Sequence, residues 1–297
     1  MLLLLQGCFF TGVESTPKVT ASDVRREREP VTAEDTFLAH VADEPLGEWR
    51  PGKRFTVTDP RISLIFGSTA SGMNPAEGSV ITYAGMMEAS SPMGTGVTDL
   101  MFRGQDGTEL VYRINRPADD LLAARSLSIP FTIQESVVSA AAAAMEGKDY
   151  YILTLPWRDD RDEPMDGGRK FVRVHVDSVT AGNAHYPLKA SFRDEQGLSG
   201  RIFFHPGGKG AAPRTFPTIF SFNDPRKRYQ STSPEFWELI TRGAIAEGMT
   251  REECRLALGA PKEVERGATQ SYLREAWLYE NGVYLLFEDG LLKRFRI

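Results

Sequence analysis

Cysteine and histidine are scarce in this chain. Its 297 residues include 2 cysteines, Cys8 and Cys254, and 4 histidines. The two cysteines stand in very different contexts, so an internal disulfide is not expected, and no Cys-x-x-Cys zinc site can be assembled. His40, His175, His185 and His205 are scattered, with none of the HxH, HxxxH or HExxH spacings from which metal centres are built. A basic excess is lacking too. The formal net charge is −5, whereas a nucleic-acid binder carries a strong positive balance. The clusters Arg226-Lys227-Arg228 and Lys293-Arg294 are short enough to be solvated surface. No run reaches the ~18–20 apolar residues of a membrane-spanning helix, and no serine sits in a GxSxG elbow. Gly207-Gly208-Lys209-Gly210 lacks the spacing and the following helix of a phosphate loop. Asp159-Asp160-Arg161-Asp162 lacks the central glycine and terminal glutamate of a calcium loop. No catalytic residue, cofactor, metal or nucleic-acid partner is expected.

The composition is 41% hydrophobic and 25% charged, ordinary for a folded globular protein, and the length suits two or three domains. The first residues are different. Met1–Leu5 is an apolar run too short to span a bilayer, and it leads into Leu5-Gln6-Gly7-Cys8. This segment resembles a lipobox, the site at which a bacterial lipoprotein precursor is acylated and cut before its cysteine. The resemblance implies that residues 1–7 are the remnant of a signal peptide whose true start lies upstream, and that Cys8 carries the lipid. Each buried CH₂ contributes ~0.8 kcal/mol, so several acyl chains hold a soluble domain to a membrane without a spanning helix. Residues 8–45 then read as a disordered tether. They are rich in Thr, Ser, Pro and charge, with a mixed-charge run Arg25–Glu29 stopped by Pro30, and bury too little apolar surface to offset the entropy of ordering.

From Trp49 the pattern turns to short strands with turn punctuation. Leu100-Met101-Phe102-Arg103 runs to Asp106-Gly107 and then to Leu110–Ile114, a strong hairpin signal. A second region repeats the order. Phe102-Arg103…Gly107 matches Phe192-Arg193…Gly197, an offset of 192 − 102 = 90, and a further strand follows each glycine. The expectation is two small antiparallel β modules, barrel or sandwich, at 46–135 and 136–232, related by an internal duplication. Five consecutive alanines within Ser136–Met145 suggest a short linking helix, although an incidental surface segment fits them equally.

The last 65 residues, 233–297, carry the most specific signals. Ser233-Pro234 opens a helix with a cap and a proline at its first position. Thr250 and Glu253 form a capping box, with Met249 and Cys254 at the staple positions, and Gly259-Ala260-Pro261 ends that helix. The apolar stretches around Trp277, Leu285 and Leu292 are joined by Asn281-Gly282 and Asp289-Gly290, which predicts a three-stranded meander under two helices. Gly248-Met249-Thr250, Glu253, Leu258–Pro261, Trp277, Tyr279 and Phe287…Gly290 together resemble the SmpA/OmlA (BamE-like) domain family of envelope lipoproteins. That resemblance implies a small non-catalytic adaptor in the cell envelope, at the outer membrane. Trp277, Tyr279 and Tyr284 are the candidate partner-binding residues.

The leading expectation is therefore a multi-domain lipoprotein, two β modules followed by an α+β domain, held to a membrane by its lipid and binding an envelope protein. Two alternatives remain. One is recognition of a carbohydrate or lipid by Trp157, Tyr186 and Phe216 on a β face, with burial in a core as their bland reading. The other is a hydrolase, which needs His175 or His185 beside a serine or carboxylate in a concave pocket.

Overall fold

The computed structural model describes residues 30–68, 75–89, 96–208, 210–268 and 273–297. The tether expected over 8–45 ends earlier than its composition suggests. Helix α1 spans Ala33–Thr36, and just beyond it Leu38 and Val41 are buried with Phe37 packed beside them. Three apolar residues at i, i+1 and i+4 suffice here because they dock on a core that other segments build. A composition averaged over forty residues hides them. Signal-remnant residues 1–7, Cys8 and the tether up to residue 29 lie outside the described residues. From Ala33 to Ile297 the chain forms one compact unit.

The first sheet is antiparallel throughout. Its strands β1 (Arg54–Val57), β2 (Phe66–Ser68), β3 (Val80–Ala89), β4 (Val97–Arg103), β5 (Glu109–Ile114) and β6 (Thr132–Gln134) lie in the order β2-β5-β4-β3-β1-β6. The period-two pattern sends Phe55, Val57, Ile81, Tyr83, Leu100, Phe102 and Leu110 to one face. Trp49, Ile62 and Leu121, the last from helix α2 (Ala118–Leu122), close over that face as a hydrophobic cluster.

Helix α3 (Glu135–Met145) contains the alanine run. It buries Val137, Ala141 and Met145, spaced four apart, so it belongs to the second core and does more than link. The second sheet, also antiparallel, has the order β10-β9-β8-β7-β11, with β7 Asp149–Ile152, β8 Val172–Ala181, β9 Leu188–Asp194, β10 Ser199–Phe204 and β11 Phe220–Ser221. Short helix α4 (Phe216–Ile219) leads into β11. Strands β7 to β10 have 4, 10, 7 and 6 residues, the same as β1, β3, β4 and β5, and stand in the same spatial order. The long hairpin slips register once in each sheet, between Tyr83 and Gly85 and between Val176 and Ser178. Next to the slip Tyr83 faces Phe102, and Val176 faces Phe192. The following turns match as well. Gly107 donates to the Gly104 carbonyl and Gly197 to the Asp194 carbonyl, each at 3.0 Å, with φ of 85° and 83°. Only glycine takes that conformation without strain.

The third cluster lies under helices α5 (Pro234–Thr241) and α6 (Arg251–Leu258). Ser233 Oγ accepts the Phe236 N–H at 3.2 Å, and Thr250 and Glu253 form the reciprocal capping box. The sheet beneath has four strands, not three, in the order β12-β13-β14-β15: Glu263–Ala268, Leu273–Leu278, Tyr284–Glu288 and Leu291–Arg296. Strand β12 is the addition. Its only large apolar residue is Val264, so it has no readable period, and its charges are those of a protected edge.

A short segment ties the second core to the third. At Gly168 a Cβ would sit 2.5 Å from the Leu155 carbonyl oxygen. Arg169 pairs with Asp194 at 2.7 Å, both side chains buried, and Asp194 also accepts the N–H groups of Gln196 and Leu198. Lys170 donates its N–H to the Thr241 carbonyl at 2.8 Å and its Nζ to the Ala257 carbonyl at 2.7 Å. Phe171, at φ 59°, donates its N–H to the Ile152 carbonyl and sets its ring 5.8 Å from that of Trp237.

Candidate functional site

The three aromatics expected to meet a partner separate into two groups. Trp277 is 1% exposed and Tyr279 9%, both inside the third cluster. Trp277 Nε1 donates to Glu275 at 2.6 Å, and the Tyr279 hydroxyl donates to the Gly259 carbonyl at 3.1 Å. Burial pushes the Tyr279 phenol up to about 12. These two residues are therefore corrected to structural roles. Trp277 pairs with Val264 and Leu285, a row turned toward the helices. Tyr284, half-buried, belongs to the opposite face.

The sheet and the first residue of α6 form an open cleft of about 590 Å³, lined by Arg251, Arg266, Leu273, Arg274, Glu275 and Asp289. Glu275 is one of its lining residues. Burial raises its pKa, but the hydrogen bonds from Trp277 and from Arg251 at 2.8 Å, with Arg266 at 3.3 Å, outweigh it and hold the carboxyl below its usual range. The Arg255 guanidinium stacks 5.1 Å from the Trp277 ring. The cleft thus offers guanidinium donors around a carboxylate that already accepts three hydrogen bonds. It can bind polar or anionic groups, but it places no nucleophile beside a base.

The remaining chemistry-bearing residues are committed elsewhere. Cys254 is fully buried and its thiol is pushed up to about 12, chiefly by burial. His175 Nδ1 lies 2.8 Å from Asp149, which also pairs with Arg173; all three are at the surface, and no hydroxyl is bonded to the pair among the described residues. His185 uses its backbone N–H on Asn183. His205 Nδ1 accepts the Gly207 N–H at 2.9 Å, and burial lowers its pKa. In the acidic loop, Asp159 accepts the N–H groups of Arg161 and Glu163, and Asp162 pairs with Lys189 at 2.9 Å. Among the described residues no group of three His, Cys, Asp or Glu side chains could hold a metal, and no helix is long and apolar enough to cross a membrane. Trp157 and Phe216 are core residues, Trp157 lying edge-on to Phe192 at 5.0 Å. Only Tyr186, half-buried beneath Arg214, stands nearer the surface, so the three do not form an exposed aromatic platform.

The outer face of the third sheet is where side chains are left unused. Directly paired residues share a face. One row reads Glu263, Leu278, Tyr284, Arg296, and the next Glu265, Ala276, Leu286, Arg294. Glu263, Glu265, Arg294 and Arg296 are exposed, as is Leu278. The sequence hid this pattern because half of it depends on β12, which has no apolar period. No protein-family profile, curated protein or solved structure matches the chain.

Proposed function

We propose that this chain is a lipid-anchored, non-catalytic scaffold of the bacterial envelope, at the outer membrane. Cys8 carries the acyl chains, the polar residues up to about 32 set the reach, and the body beyond binds an envelope protein. The observation that carries the reading is the run Leu5-Gln6-Gly7-Cys8 behind an apolar stretch and ahead of a long polar segment. It is supported by the burial of Cys254 and by the internal hydrogen bonds of His205 and Asp159. The four-stranded part common to the first two sheets, with matching strand lengths, order, register slip and turn, is read as two copies of one ancestral module. The helix caps and paired glycine turns of 233–297 support a SmpA/OmlA-like adaptor at the end of the chain.

The test is the mass of the mature N-terminus after expression in a bacterial host. A diacylated or triacylated peptide beginning at Cys8 is the expected result, together with release of Cys8→Ala from the membrane pellet. An unmodified N-terminus on a protein found wholly in the soluble fraction refutes the anchor.

A further inference from the structure

The outer face of the four-stranded sheet carries a charge gradient. Two of its rows begin with a glutamate on β12, cross two uncharged residues on β13 and β14, and end with an arginine on β15; the third, Gly267, Arg274, Glu288, Leu291, sets an arginine on β13 against a glutamate on β14 and is complementary to itself under the same exchange. The four ionic groups, Glu263, Glu265, Arg294 and Arg296, have no ion-pair partner among the described residues. Among the large hydrophobic side chains exposed on the sheet, Leu278 lies on this face, whereas Val264 and Phe295 pair into the row of Trp277 and Leu285 on the helix side.

Such a gradient is complementary to itself. A twofold axis lying in the interface and parallel to the strands turns one sheet face onto another and reverses the order of its strands. The acidic β12 edge of one copy then lies against the basic β15 edge of the other. In register, Glu263 of one copy faces Arg296 of the other and Glu265 faces Arg294. Leu278 meets Tyr284, and Ala276 meets Leu286. We propose that this face is an isologous interface at which two copies of the chain pair sheet on sheet, aligned and ~10 Å apart. An unrelated partner would need the reverse gradient at the same spacing, and a second copy supplies it without any further condition.

The interface is small. Four strands ~4.8 Å apart, about six residues long, cover roughly 400 Å² per copy, against ~800 Å² in a standard stable interface. The dimer is therefore of the weak, transient kind, and sensitive to salt because its steering groups are exposed.

The experiment is sedimentation equilibrium of the full chain up to ~500 µM, in reductant so that Cys8 forms no cross-link. The wild-type chain is expected to show a monomer–dimer equilibrium that weakens with added salt. E263K/E265K makes both edges basic and R294E/R296E makes both acidic. Each should self-associate at least tenfold more weakly, with an unchanged circular dichroism spectrum. An equimolar mixture of the two should form heterodimers about as tight as the wild-type dimer. Three results overturn the proposal: a wild-type chain monomeric over the whole range, reversal variants that pair as tightly as the wild type, or weakened variants that do not recover on mixing.

Discussion

Replacing Lys170 by methionine isolates the cost of burying a charge between two cores. The lysine is 8% exposed, its Nζ bonds to the Ala257 carbonyl near the end of α6, and burial lowers its pKa from 10.5 to about 8. Because the folded-state pKa lies below the unfolded one, the folded protein loses this proton first as the pH rises. Between about 8 and 10.5 the unfolded chain holds more protons, so stability attributable to Lys170 increases with pH. At pH 7 the charged form costs the folded state about 3 kcal/mol, and by pH 10 most of that cost is gone. Methionine fills a similar volume without charge, but it leaves the Ala257 carbonyl without its donor, a loss of ~1–3 kcal/mol at either pH. The two variants should therefore be close in stability at pH 7, or Lys170→Met the more stable. The wild type should gain on it by roughly 2–3 kcal/mol between pH 7 and pH 10. Urea unfolding of both proteins at the two pH values measures this, since the other titrating groups cancel in the difference. A stability difference that does not change with pH, or that moves the other way, refutes the reasoning.

Removing the partner of a buried carboxylate should cost more. Arg169→Ala leaves Asp194 in the interior with only its two backbone donors, and a loss of ~3–5 kcal/mol is expected in chemical denaturation; a change below ~1 kcal/mol would show that solvent reaches the site. Thr250→Ala should destabilise the third cluster by ~1 kcal/mol through the lost cap, read as a lower unfolding midpoint. Cys254, with its thiol near 12, should resist a thiol-specific reagent at neutral pH and react once urea unfolds the chain; rapid labelling of the native protein at this position would contradict its burial.

The parts of this fold that could be read in the sequence are the ones decided locally. Asp106-Gly107, Asn281-Gly282 and Asp289-Gly290 mark tight turns because their glycines lie at positive φ. Thr250 and Glu253 lie within one helical turn of each other, so their capping box needs nothing else from the molecule. What could not be read depends on partners distant in the chain. Phe37, Leu38 and Val41 look like stray residues in a polar stretch until the second core receives them. Strand β12 is a strand only because β13 lies beside it. Trp277 is conspicuous in the sequence, but register turns it toward α6, and the free face falls to Tyr284 and the charged residues flanking its row. Lys170 gave no signal, since its burial follows from how two cores meet.

A chain that presents the same hydrogen-bonding frame twice risks having its hairpins trade places. The ladder alone would accept the exchange, because strand lengths and register slips agree. Side chains forbid it at one position. Opposite Phe102 stands Leu110, while opposite Phe192 stands Gly200. A Cβ at residue 200 would already lie 2.8 Å from the Trp157 ring. A leucine arriving there from the first sheet would collide with that indole, so the tryptophan acts as a lock that admits only its own hairpin.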